Sequence, residues 1–112
     1  MVFQAGGTAT LIEHRQSVRH DVDIACTLSV RDTPLQTVIK NLSVGGALVV
    51  YAERLPAAER VKLSFRLPGV EAPIEVAGTI RWCGDGSIGI QFDGLRAREV
   101  WSLNKYFESL SS

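Results

Sequence analysis

The feature that most constrains the fold of this chain is a series of short segments in which apolar and polar residues alternate. Alternation with a period of two places the apolar side chains on one face of an extended strand, so each segment is predicted to be a half-buried β-strand. The six predicted strands cover residues 22–30, about 36–43, 47–51, about 61–67, 74–82 and 88–92. Short strands at this regular spacing favour a small antiparallel barrel or sandwich.

Turn-forming residues separate the predicted strands. Residues 31–34 (Arg-Asp-Thr-Pro) are expected to turn the chain after the first strand, and Gly45-Gly46 allows a tight reversal after the second. Residues 84–86 (Gly-Asp-Gly) turn the chain into the sixth strand. Gly78 lies inside the fifth strand, where it is predicted to mark a bulge or bend of the kind that barrels need.

After residue 93 the apolar period changes from that of a strand to that of a helix. The apolar residues at helical spacing are Val100, Leu103, Phe107 and Leu110. Asp93 is the expected N-cap, and the helix is predicted to cover an open end or seam of the barrel. The predicted fold class is therefore mainly all-β, with residues 14–112 forming a barrel and a C-terminal helix. Residues 1–13, which lack periodicity, are predicted to be a flexible tail.

The composition argues against several functional classes. A chain of 112 residues fits one domain, and its twelve basic and twelve acidic residues balance, so general nucleic-acid binding is not expected. No nucleophile elbow, Walker loop or metal-ligand spacing is present, so the sequence predicts neither an enzyme nor a bound metal or cofactor. Cys26 and Cys83 are expected in the core. Trp82 and Trp101 are also expected to be core or helix-packing residues rather than to contact a ligand.

The sequence also bears on location. The N-terminal residues carry no basic stretch, and Gly6, Gly7 and Thr8 interrupt their apolar residues, so no signal peptide is predicted. No apolar run approaches the ~20 residues that a membrane helix needs. The chain is therefore expected to be cytoplasmic and not to insert into a membrane.

A pair of arginines precedes the first predicted strand. Arg15 and Arg19 are four residues apart, so both guanidinium groups lie on one side whether the segment is helical or extended. Arginine can clamp a phosphate, read the O6/N7 edge of guanine and stack on a purine face. The pair therefore suits a compact anionic ligand that contains guanine.

A polar cluster follows the second predicted strand. Alternation places Asn41 and Ser43 on the same face as Ile39, opposite the face of Leu42. The amide and the hydroxyl can satisfy the polar edge of a base, and Gly46 lets the backbone turn beneath a ligand without a Cβ in the way. The two clusters are expected to meet at one end of the sheet and to form one binding site.

These features together resemble the PilZ domain family, a six-stranded barrel that binds the bacterial second messenger cyclic di-GMP. The resemblance rests on an RxxxR motif at residues 15–19 and an NxSxxG motif at residues 41–46, ahead of a six-stranded pattern and a terminal helix. Residues 78–82 and 89–92 are similar to the last two strands of the family. The likeness covers residues from about 13 to 110.

The resemblance implies a role for each motif residue. Arg15 and Arg19 would grip the phosphates and the guanine Hoogsteen edges, Asn41 and Ser43 would bind guanine from the barrel surface, and Gly46 would shape the turn. The family usually has aspartate or asparagine at the position of Asn41, so this chain stays within the pattern.

Two further residues are candidates for the site. His14 stands where many relatives have another arginine, and Gly45 lies beside the motif glycine. The implied mechanism is a switch without catalysis, in which the ligand folds the N-terminal arm against the barrel and presents a new surface to a protein partner. The sequence does not identify that partner.

Two alternatives stay open at this point. Some members of the family act as adaptors through protein contacts without a nucleotide, but those typically lack the arginine motif that this chain keeps. An exposed face of the C-terminal helix or the edge of an open barrel would also allow a homodimer, which the spacing does not require.

Overall fold

The described residues, 18–111 of the computed structural model, form a closed barrel of six antiparallel strands followed by a helix. The strands are β1 (His20–Val30), β2 (Thr33–Leu42), β3 (Gly46–Val50), β4 (Arg60–Phe65), β5 (Ile74–Gly84) and β6 (Ser87–Phe92), and the helix is α1 (Ala97–Ser111). The order around the barrel is β1-β2-β3-β6-β5-β4, and β1 closes it by pairing with both β2 and β4. The predicted fold class is confirmed.

Two tight hairpins set the register of the barrel. Arg31 and Asp32 join β1 to β2 with φ values of 51° and 66°, and Asp85 and Gly86 join β5 to β6 with φ values of 55° and 79°. Two central residues with positive φ define a type I′ turn, whose twist matches that of the flanking strands. Pro34, expected in the first turn, instead lies inside β2.

The barrel interior holds a continuous apolar core. Burial raises the pKa of the Cys26 thiol to about 11, as expected for a small apolar residue of the core. Cys83 is only half-buried, and its Sγ lies 3.5 Å from the carbonyl oxygen of Leu55. Among the largest fully buried side chains are Leu28, Ile39, Leu63, Ile80 and Ile88.

A bulge near the end of β2 changes which side chains point inward. The pairing of β2 with β3 shifts between Ile39 and Asn41, so that Lys40 is an extra residue. Ile39 and Leu42 are therefore both fully buried. The prediction that these two residues lie on opposite faces is wrong, because a bulge interrupts the period of two.

A second bulge lies in β5. The pairing with β6 shifts between Ile80 and Trp82, which makes Arg81 the extra residue and turns the Trp82 ring outward with 47% of its surface exposed. The expectation that Trp82 packs in the core is therefore wrong. The bulge is also not at Gly78; a Cβ there would lie 2.7 Å from the carbonyl oxygen of Gln91, so Gly78 allows close strand packing instead.

The helix packs on the barrel through one face. Leu103 and Phe107 are buried, and the ring of Phe107 stacks on His20 with centroids 4.1 Å apart. Leu110 is exposed, so the apolar face of the helix is shorter than predicted. Trp101 is also exposed, so the prediction that it is a core or helix-packing residue is wrong. Within the described residues, no helix is both long enough and apolar enough to cross a bilayer.

The helix begins later than expected. Its first residue is Ala97, so Asp93 is not the N-cap. Asp93 instead forms a two-pronged ion pair with Arg60, which joins the end of β6 to the start of β4. The hydrogen bonds from Arg60 lower the pKa of the Asp93 carboxyl.

Candidate functional site

A cavity of about 340 Å³ lies on the barrel wall between the end of β2 and the β5–β6 hairpin. Glycine, alanine and isoleucine form its apolar and backbone surface. Its polar and aromatic lining consists of Arg19, Asn41, Ser43, Arg81, Trp82 and Gln91. Three separate parts of the chain therefore meet there: the approach to β1, the β2–β3 turn, and the β5–β6 pair.

Ser43 builds the turn that forms one wall of the cavity. Its Oγ accepts hydrogen bonds from the backbone N–H groups of Gly45 and Gly46, each at 3.1 Å, and its own N–H donates to the carbonyl of Gly46 at 2.9 Å. The Ser43 hydroxyl also lies 3.4 Å from that carbonyl, which is long for an O–H donor. The hydroxyl hydrogen can therefore turn to a ligand without loss of the bonds that hold the turn.

Gly46 is required by a neighbouring strand. A Cβ at this position would lie 2.2 Å from the carbonyl oxygen of Ile90 on β6, closer than any real side chain allows. The close approach of β3 to β6 is thus sufficient to require glycine here, and the role of Gly46 beneath a ligand stays a prediction. Gly45 is exposed, and its carbonyl accepts the N–H of Phe92 at 2.9 Å.

Trp82 lies flat on the outer surface of the β5–β6 pair. It is the register partner of Gly89, and a Cβ on Gly89 would meet the indole Nε1 at 2.6 Å. The glycine therefore leaves the space in which the ring rests against the strand. The exposed part of the ring faces the cavity edge, where a planar base has an aromatic surface on which to stack.

The electrostatic character of the cavity comes from two arginines. Arg19 precedes β1 and Arg81 is the extra residue of the β5 bulge, and neither forms an ion pair with another described residue. Other arginines, such as Arg60 and Arg96, are paired with carboxylates. No carboxylate is among the described lining residues, so the cavity is cationic and suited to an anion.

Cavity size alone does not identify the site. A groove of about 370 Å³ on the outside of β1, β4 and β5 contains Lys62 and Glu75, and a depression of about 620 Å³ beside the β4–β5 loop contains Arg66, Asp23 and Glu71. In both, carboxylates offset the cations. Neither combines unpaired guanidinium groups with an aromatic ring.

The structure brings together most of the predicted site. Arg19, Asn41, Ser43 and the Gly45-Gly46 pair all line the same cavity. Arg15 and His14 lie outside the described residues, so their role stays a prediction.

Sequence reasoning missed the contribution of the β5–β6 hairpin, which supplies Arg81, Trp82 and Gln91. The sequence of this hairpin is nevertheless enough to predict that Trp82 faces outward. A type I′ turn at Asp85-Gly86 sets a register in which Trp82 pairs with Gly89. Gly89 lies between two isoleucines that point inward, so Gly89 faces outward. Because paired residues of antiparallel strands lie on the same face, Trp82 must face outward as well.

Comparisons with known structures give the same fold. The chain is similar to the Bacillus subtilis inhibitor of motility MotI/DgrA, with a TM-score of 0.72 and 23% identity over 85% of this chain and 51% of that one. It is similar to the PilZ domain of CeSA from a cellulose-synthesizing bacterium, with a TM-score of 0.66 and 20% identity over 86% of this chain and 100% of that one.

A third similar structure is that of Borreliella burgdorferi PlzA in complex with c-di-GMP, with a TM-score of 0.67 and 20% identity over 88% of this chain and 44% of that one. The chain thus spans about half the length of MotI/DgrA and less than half of PlzA. Among curated protein sequences, none matches it significantly. At these identities the three likenesses show the fold alone.

The family is shown by the sequence itself. The family model of the PilZ domain matches residues 13–109, which include both polar motifs, the whole barrel and most of α1. This chain belongs to the PilZ domain family.

Proposed function

We propose that this chain is a receptor for cyclic di-GMP, which it binds in the cavity between the β2–β3 turn and the β5–β6 hairpin. The observation that carries the proposal is the meeting in one cavity of the exposed ring of Trp82 with two guanidinium groups, from Arg19 and Arg81, that form no ion pair within residues 18–111. A cyclic dinucleotide offers what these groups bind: phosphates for the arginines and flat bases for the ring.

Each group has a distinct role in this proposal. Arg19, together with Arg15 of the same motif, binds phosphate oxygens and the O6/N7 edge of guanine. Arg81 binds the ligand from the opposite side of the cavity, and Trp82 stacks on a base. Asn41 and Ser43 bind the remaining polar edge of the base.

Calorimetric titration with cyclic di-GMP tests the proposal. Saturable binding is expected in the wild type, and Arg15→Ala, Arg19→Ala and Arg81→Ala are each expected to weaken it by roughly 10- to 100-fold, the loss of one charge-assisted contact. Arg66→Ala is the matched control, because Arg66 is an exposed arginine in the depression beside the β4–β5 loop. GTP, which lacks the second guanine, is the ligand control.

The contribution of Trp82 can be measured directly. The chain has two tryptophans, so in a Trp101→Phe variant Trp82 is the sole indole fluorophore. Stacking on a base is expected to quench its emission on binding. Trp82→Ala is expected to weaken binding by about tenfold, since a base–aromatic stack is worth ~1–3 kcal/mol, whereas Trp101→Ala should leave the affinity unchanged.

Binding through Arg15 and Arg19 would hold residues 15–19 against the barrel, which provides the switch. Hydrogen exchange of the backbone amides in this segment is therefore expected to slow when cyclic di-GMP is added. If neither heat nor a change in Trp82 fluorescence accompanies a large excess of ligand, the receptor proposal is wrong. The remaining function for the family fold would then be an adaptor that acts through protein contacts alone.

A further inference from the structure

Asp21 lies outside the two sequence motifs, on β1, directly opposite Asn41 on β2. The side-chain amide of Asn41 donates a hydrogen bond from Nδ2 to Oδ1 of Asp21 at 2.9 Å. An ionised carboxylate accepts hydrogen bonds and donates none. The bond to Asp21 therefore fixes which end of the Asn41 amide faces β1, because the reversed amide would set two oxygens against each other.

The position of β2 determines where the other end of the amide points. This strand lies between β1, which carries Asp21, and β3, which begins beside the cavity. The amide oxygen diverges from the amide nitrogen, so with the nitrogen turned towards β1 the oxygen is turned away from it, to the side of the cavity that Asn41 lines. The wall at Asn41 then offers the amide oxygen as a hydrogen-bond acceptor, while Asp21 occupies one of the two N–H donors of Nδ2.

We infer that Asp21 is a positioning residue that makes the site select guanine over adenine, by holding the Asn41 amide oxygen towards the bound base. This inference rests on the proposed function of the cavity. On its Watson–Crick edge guanine presents the N1–H and N2–H donors, which an amide oxygen accepts. At the position of guanine N1–H adenine presents the N1 lone pair, which an amide oxygen repels, and the only N–H donor of adenine on this edge is N6–H, at the position of guanine O6.

Asp21→Asn removes the constraint with almost no change of shape. An asparagine at this position can accept from, or donate to, the Asn41 amide, so both orientations of that amide become available. The adenine ligand should then gain affinity and the guanine ligand should lose it. The ratio of the dissociation constants for cyclic di-AMP and cyclic di-GMP is expected to fall by about tenfold, the worth of one hydrogen bond.

A matched control lies two residues away on the same strand. The carboxylate of Asp23 binds Nζ of Lys40 and does not line the cavity. Asp23→Asn removes the same charge, so any general effect of charge on an anionic ligand appears in both variants and cancels in the ratio. Asp23→Asn should therefore leave the ratio of the two constants unchanged.

A double variant tests the orientation itself. Exchange of the two residues, Asp21→Asn with Asn41→Asp, places the amide on β1 and the carboxylate at the cavity. The new carboxylate accepts from Asn at position 21 and from guanine, but it cannot donate to adenine. Discrimination is therefore expected to return.

The experiment is a calorimetric titration of the wild type and the three variants with both cyclic dinucleotides. A fall of the ratio in Asp21→Asn, an unchanged ratio in Asp23→Asn and a recovered ratio in the double variant would support the inference. If the wild type selects guanine and Asp21→Asn gives the same ratio as the wild type, the role of Asp21 is overturned but the proposed function is not. The same holds if the double variant does not recover the ratio. Absence of binding of either dinucleotide to the wild type would overturn the proposed function, and the specificity role with it.

Discussion

At the scale of single residues, two inserted residues determine which side chains line the cavity. Lys40 and Arg81 are the inserted residues of the bulges in β2 and β5. In each strand the alternation is offset after the insertion, so Asn41 reaches the cavity and Trp82 lies outside the barrel. Each bulge thus places a side chain of the candidate site where regular pairing would not have directed it.

Gly46 gives a prediction at the same scale. In Gly46→Ala the new methyl group would meet the Ile90 carbonyl, which is backbone and cannot turn aside. β3 and β6 must then separate, and the free energy of unfolding is expected to fall by about 3 kcal/mol, the upper range for overpacking. Urea denaturation measures this loss.

Gly84→Ala is the matched control for that measurement. No heavy atom lies within 4 Å of a Cβ placed on Gly84, and this glycine is also in a strand of the barrel. The control variant should stay within about 0.5 kcal/mol of the wild type. Equal stability of Gly46→Ala and the wild type would mean that strand approach is not the reason for the motif glycine.

How far the sequence determines the site can be judged from these same positions. Alternation predicts Leu28 and Ile88 as buried, because both lie in regularly paired stretches of their strands. It misplaces Leu42 and Trp82, because a bulge adds one residue without leaving a mark in the pattern of apolar residues. The two motifs contain Arg19 and Asn41 and so predict them as site residues. Arg81 lies in neither motif and reaches the cavity only because the barrel closes.

At the scale of elements, α1 depends on a carboxylate in its first turn. Glu99 is buried, and its Oε1 accepts the backbone N–H of Arg96 at 3.0 Å while Oε2 accepts from the Arg96 guanidinium at 3.1 Å. The bond from the N-cap N–H of Arg96 to the Glu99 side chain is one of the two bonds of a capping box. The Glu99 carboxylate also places a negative charge near the positive end of the helix dipole. The side-chain hydrogen bond from Arg96 lowers the pKa of Glu99, against the opposing effect of burial.

The stability of the helix should therefore depend on pH through Glu99. Because its pKa is lower in the folded protein, its contribution is complete above the unfolded-state pKa of about 4.3 and is lost as the pH falls through the folded-state value. Glu99→Gln is expected to lower the free energy of unfolding by about 1 kcal/mol at about pH 7. At about pH 3, below the unfolded-state pKa, the difference from the wild type should be smaller, because the Glu99 carboxyl of the unfolded chain then binds a proton.

Urea denaturation at the two pH values tests this dependence. Glu53→Gln removes an exposed carboxylate from the loop between β3 and β4, and it serves as the control for a general change of charge. A Glu99→Gln effect that is the same at both pH values would show that the side chain acts through its packing and not through its charge.

At the scale of the whole molecule, the cavity exists only in the closed barrel. Its lining comes from the approach to β1, from the β2–β3 turn and from β5 and β6. A ligand bound there binds the folded state and not the unfolded chain, so it stabilises the complete domain.

Thermal unfolding provides the prediction at this scale. Cyclic di-GMP at 100 times its dissociation constant adds ~2.7 kcal/mol to the free energy of unfolding, which for a domain of this size raises Tm by about 10 °C. At the same ligand concentration Arg19→Ala should show a much smaller shift. Binding by calorimetry without any rise of Tm would mean that the ligand does not distinguish the folded barrel from the unfolded chain.

The strand order of the barrel also has a consequence for protein synthesis. β1 leaves the ribosome first, but its second partner, β4, is made only after β2 and β3, and β5 and β6 come later still. A nascent chain that stops before β5 carries Arg19 and Asn41 without Arg81 or Trp82, so it has only half of the cavity. The complete cavity therefore forms only once translation has passed β6, and under the proposed function an unfinished chain would lack part of the binding site for the messenger.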